Sequence, residues 1–122
     1  MTPVRQTKFR NIEIRTYGNC LRAAVASLLD LSLEEVEPFE DHFDDHTWRQ
    51  HFEYIWPASR GLVINSSGEP PPGYSICFGD SPRSDTGHAV IVLDGRLAHD
   101  PHPDGTGVLN PYRYYWFEKE KT

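Results

Sequence analysis

The sequence predicts an α+β fold, with N-terminal helices packed on a C-terminal antiparallel β-sheet, as one domain over residues 1–122. Three observations carry this expectation. The best helical pattern, "GNCLRAAVASLLDL", lies in the first half of the chain. The second half breaks into short apolar runs separated by Gly, Pro, Asp and Ser. Two of those runs, "HAVIVL" and "RLAHD", are joined by Asp94-Gly95, a strong hairpin signal. Helices followed by strands, rather than alternating with them, argue against a parallel sheet.

In chain order, "NIEIRT" alternates polar and apolar residues and reads as a short strand. The first helix follows, with Asn19 as its N-cap and Leu21, Ala24, Val25, Leu28 and Leu29 on one face. Ser32 and Glu35 form a capping-box signature for a second, short helix that Pro38 ends. "DDHTWRQHFEYIW" reads as a third helix, with Trp48, Phe52 and either Ile55 or Trp56 inward and Pro57 as its stop. "LVIN", "YSICFGD" and the two arms of the hairpin read as strands, and "YRYYWF" as a buried edge strand.

The net charge of −6 argues against nucleic acid as a partner, since phosphate binding requires a basic surface. No run approaches eighteen apolar residues, so no membrane span is expected. The polar N-terminus lacks an apolar signal-peptide core, which makes the cytoplasm the expected compartment. Six histidines raise a metal reading, because "DHFDDH" sets His42 and His46 four residues apart and His99 and His102 flank Asp100. Without an HExxH pattern, a solvated acidic helix start is the reading adopted for 42–46, and no metal or other cofactor is expected.

Two cysteines are the whole thiol inventory. Cys77, between Ile76 and Phe78, reads as core. Cys20 stands at the first helical position, where unsatisfied backbone N–H groups and the helix dipole favour a thiolate. His88 opens the "HAVIVL" strand and Asp100 follows "RLAH". A two-residue turn would pair Leu93 with Arg96 and put Asp100 across from Ala89, leaving His88 and Asp100 on opposite faces. A three-residue loop with a G1 bulge would pair Val92 with Arg96 and place His88 opposite Asp100. Both registers fit "LDGR". The chemistry favours the second, because a carboxylate beside the imidazole would orient it and stabilise its protonated form.

"GNCLRAAVASLLDL" and "GHAVIVLDGRLAHDPHPDG" together resemble the papain-like cysteine peptidase superfamily, in a minimal form close to its bacteriocin-processing branch. The likeness covers residues 17–33 and 86–104. It implies a papain-like fold, Cys20 as nucleophile, His88 as general base and acid, and Asp100 as the orienting residue. It also implies a peptide or protein substrate, and chemistry on an amide, isopeptide or thioester bond. Such peptidases usually carry a glutamine about six residues before the cysteine, and Ile14 stands there in this chain. The oxyanion would then fall to the Cys20 backbone N–H with the side chain of Asn19, or of Gln6 if the N-terminus folds back. A binding module that keeps the scaffold but captures a peptide without efficient chemistry is the alternative, and a metal-binding protein built on the histidine clusters is a third.

Overall fold

The computed structural model describes residues 1–121. It is an α+β structure in which helical segments precede a five-stranded sheet. The strands are β1 (Leu62–Ser67), β2 (Tyr74–Asp80), β3 (Gly87–Leu93), β4 (Arg96–His99) and β5 (Leu109–Lys119). Their order across the sheet is β1-β5-β2-β3-β4, and every neighbouring pair is antiparallel. The edges are therefore β1 and β4. The aromatic strand β5 lies between β1 and β2, correcting the expectation of an edge. Tyr114 and Tyr115 pair with β1 on one side and β2 on the other, and both are buried.

Helix α1 (Cys20–Leu28) packs on β3 and β2. Ala23, Ala24 and Ala26 are wholly buried, and small side chains let the helix backbone approach the sheet closely. The helix ends in a Schellman motif, with Leu31 N–H on the Ala26 carbonyl at 2.9 Å and Asp30 left-handed at φ 57°. Val25, Phe39, Phe52 and Ile91 form the centre of the main core. A second cluster of Cys77, Val90, Val92 and Tyr114 explains why β2 and β3 read as continuous apolar runs. Cys77 is core, as its neighbours implied.

Between α1 and the sheet, the 3-10 turns Leu33–Glu35 and Phe39–His42 lead into a continuous helical segment. That segment comprises α2 (Trp48–Gln50), a π-helical stretch (His51–Ile55) and α3 (Trp56–Ser59). Pro57 was expected to stop it, yet the helix runs on to Ser59. A proline inside a helix has no N–H to donate and crowds the carbonyl four residues earlier. The wider π turn just before it supplies the needed room. Phe52 and Trp56 face the core, while Ile55 is about half exposed.

"NIEIRT" is not a strand. Asn11 Oδ1 accepts the N–H groups of Glu13 and Ile14, and an isolated bridge from Asn11 to Thr16 closes the loop. Ile12 and Ile14 are left exposed. The local Asx turn outweighs the weak alternation of the segment.

Gly79 sits at an irregularity in the β2–β5 pairing, where a Cβ would meet the Leu109 carbonyl oxygen at 2.6 Å and Val108 Cβ at 2.9 Å. Gly79→Ala should lower stability by roughly 1–3 kcal/mol, the usual penalty of overpacking. Gly68→Ala, where a Cβ meets nothing within 4 Å, should stay within about 0.5 kcal/mol of wild type, and urea titration of both variants checks the contrast.

Candidate functional site

The hairpin register is neither of the two the sequence offered. Asp94 and Gly95, at φ 51° and 86°, form a two-residue turn that pairs Leu93 with Arg96 and Val92 with Leu97. One pair further on, Ile91 stands opposite His99, so β4 carries an extra residue at a bulge. The bulge restores the parity that the two-residue turn alone would lose. Asp100 returns to the side of His88, and His88 Nε2 donates to Asp100 Oδ1 at 2.7 Å. His99, one residue away, turns to the Val4 carbonyl at 2.8 Å and takes no part.

Asp100 is buried and fully partnered. Besides His88, its Oδ1 accepts the His102 N–H at 2.9 Å and its Oδ2 accepts the Gly107 N–H at 2.8 Å. Burial pushes this carboxyl up, but these three donors outweigh it and hold it below its ordinary value of 3.8. Because Nε2 must carry the proton given to a carboxylate, Nδ1 of His88 is the nitrogen left for Cys20. Burial would lower the His88 pKa. The hydrogen bond to Asp100, with the neighbouring Cys20 sulfur and the Asp100 charge, reverses this and raises it from 6.5 to about 9.

Cys20, half-buried at the start of α1, and His88 line one cavity of about 540 Å³. Part of its lining is aromatic: Tyr17, Phe43, Trp48 and Phe78, joined by edge and tilted ring contacts. Phe43 carried no signal in the sequence, because nothing in "DHFDDH" indicates that this segment folds across the start of α1. Arg83 was also missed. Its Nη1 binds Asp104 at 2.9 and 3.1 Å and Thr106 at 2.9 Å, which brings Nη2 to 3.4 Å from His88 Nε2. Both atoms are donors, so the contact is not a hydrogen bond. Arg83 instead covers the His88–Asp100 bond with a charge that Asp104 balances.

The two expected oxyanion residues part company. Asn19 occupies the N-cap position, but its side chain makes no cap bond. It is 1% exposed, with Oδ1 accepting the Thr7 and Lys8 N–H groups and Nδ2 donating to Thr7 Oγ1, each at 2.9 Å. It therefore faces the N-terminal strap and away from the cavity, which corrects its assignment as an oxyanion donor. Gln6 does line the cavity, because the N-terminus folds back and the Gln6 N–H reaches the Pro101 carbonyl at 3.1 Å. Its Nε2 gives one hydrogen to the Lys8 carbonyl at 2.9 Å and keeps a second. His46 stays exposed and apart, while His42 stacks on His51, a pairing the i,i+4 reading did not include.

The raised His88 pKa ties folding to pH. The folded chain holds this proton up to about 9 and the unfolded chain only to 6.5. The stabilisation is complete below 6.5 and disappears as pH rises through about 9. The melting temperature should fall between those limits and the slope should flatten in Asp100→Asn, which removes the strongest group holding the proton. A wild-type melting temperature that is level across this window would contradict the geometry. Searches found no matching family model, no matching curated protein and no matching solved structure.

Proposed function

We propose that this chain is a cysteine-dependent hydrolase or acyl transferase of papain-like type, acting on an amide, isopeptide or thioester bond in a peptide or protein. One observation carries the reading. A cysteine at a helix N-terminus shares a cavity with an imidazole whose far nitrogen is held by a buried, fully hydrogen-bonded carboxylate. This is the arrangement nucleophilic catalysis requires: a nucleophile, a base within reach, and a third group that orients the base.

In this mechanism the Cys20 proton resides on His88 Nδ1, in keeping with the raised His88 pKa, and the sulfur attacks the carbonyl carbon. Negative charge passes to the carbonyl oxygen. The Cys20 backbone N–H, which has no intrahelical acceptor in the first turn, and the second Gln6 Nε2 hydrogen are the donors suited to it. Collapse of the tetrahedral adduct expels the leaving group with the proton from His88 and leaves a thioester on Cys20. A water or an incoming amine then resolves it, with His88 acting as base once more. Arg83 excludes water from the His88–Asp100 bond, and the aromatic wall offers an apolar surface to the side chain beside the reacting carbonyl.

Alkylation by iodoacetamide, resolved by residue, tests the pair without a known substrate. At neutral pH Cys20 should react far faster than the buried Cys77, whose thiol burial pushes up. His88→Ala should slow Cys20 on the order of a hundredfold, the lower end of what a positioned base supplies. If Cys20 alkylates at the same rate in both proteins, the cleft is a peptide-binding groove without chemistry.

Gln6 is separable from this. Alkylation generates no oxyanion, so Gln6→Ala should leave the alkylation rate unchanged. It should slow acylation of Cys20 by a p-nitrophenyl ester by roughly a hundred- to a thousandfold. An equal loss in both reactions would assign Gln6 to holding the helix start, with no part in the chemistry.

A further inference from the structure

We infer that Glu37, His42 and His51 form a binding site for a divalent transition metal of the zinc class, separate from the Cys20 cleft. One ligand atom from each lies within 4.8 Å of the other two. Glu37 Oε2 and His51 Nδ1 are 2.8 Å apart and shielded from solvent, yet neither makes a hydrogen bond of acceptable angle. A proton shared between them would align with both atoms. Two donors that face each other out of line have lone pairs available to a third centre. The His42 ring lies flat against His51 with centroids 3.6 Å apart and planes 7° from parallel.

Charge and size fit the same ion. Each imidazole offers a ring nitrogen, the commonest protein ligand of such metals. With the Glu37 carboxylate the donor set is N₂O with a charge of −1, a combination common at zinc sites, which leaves a fourth position for water. Zinc bonded at about 2.0–2.1 Å sets neighbouring ligands about 3.3 Å apart, a spacing that ligand atoms all within 4.8 Å of one another reach by small side-chain adjustments. A lone pair lies in the plane of its ring, so one imidazole must rotate out of the stack to ligate. His42 is the freer of the two: its Nδ1 has only a 3.8 Å contact with the exposed Asp45.

The three ligands bracket the 3-10 turn Phe39–His42 and the start of the π-helical stretch. An ion here would clip those two segments together. The chain between His42 and His51 carries Phe43 and Trp48, both in the aromatic wall of the cleft. The metal would therefore stiffen that wall without touching the reacting groups. The site stands on its own donors and does not depend on the chemistry proposed for Cys20.

Titration calorimetry with Zn²⁺ on the Cys20→Ser chain tests this, since the substitution removes the more accessible of the two thiols, which would compete. One ion per chain is expected, with the His42 and His51 ring protons shifting together in NMR spectra as the stack opens. His51→Ala or Glu37→Gln, added to Cys20→Ser, should abolish binding while leaving the ring-current shifts of Phe52 and Trp56 in place. No binding to the Cys20→Ser chain would overturn the proposal. So would binding that survives both substitutions. If either variant unfolds, His42→Asn in the same background decides, with loss of binding supporting the site and retention refuting it.

Discussion

Asp100 is the point on which the structure turns. A buried carboxylate is tolerated only when its oxygens are hydrogen-bonded, and here each bond fixes a different part of the chain. His88 secures the end of β3, the His102 N–H folds the chain just past β4, and the Gly107 N–H closes the loop that returns towards β5. Pro101, wholly buried beside it, presents its carbonyl to Gln6 and so docks the N-terminal strap. The bulge in β4 is what makes this possible. Without the extra residue, the Asp94-Gly95 turn would deliver Asp100 to the opposite side of the sheet, and an unpaired carboxylate there would be costly.

Asn19 does for the N-terminal strap what Asp100 does for the loop. Its buried amide spans two successive N–H groups and one hydroxyl of the exposed residues 7 and 8. Ser27 repeats the arrangement one helix length further on, accepting the Val4 N–H while its own hydroxyl donates to the Ala23 carbonyl at 2.7 Å. Buried polar residues at the N-cap and in the last turns of α1 thus act as clamps on the strap backbone. The strap they fix carries Gln6 to the cavity that Cys20 and His88 share.

Much of this is legible from sequence, and the parts that are not share a cause. α1 and the strands β1 to β4 follow from apolar periodicity and turn residues, which are local signals. Cys20 and His88 follow from their places at element ends. The bulge leaves no mark in "RLAHD", because its trigger is the tertiary requirement that Asp100 meet His88. Pro57 reads as a stop because a π turn has no sequence signature. Asn19 reads as a cap because a cap is the commonest use of Asn before a helix, and only the folded-back strap offers its amide better partners. The His42–His51 stack joins a 3-10 turn to a helix nine residues on, a distance that helical spacing cannot anticipate.

Energetics bear on why the His88–Asp100 pair exists at all. Ion pairs this deeply buried rarely add net stability, since desolvation offsets most of the attraction. An apolar pair of similar size would suit a strand whose other residues are Ala89, Val90, Ile91 and Val92. Arg83 adds a third charged group, itself neutralised by Asp104, at a position where a sheet gains nothing from it. Such an expense is understandable where the charges meet a cavity and a thiol. The apolar and aromatic side chains that line the cavity lower the local polarity around these charges, where electrostatic interactions are screened less than in bulk water. The buried His88–Asp100 pair lies against the cavity that also holds the Cys20 thiol, and stability alone does not call for that placement.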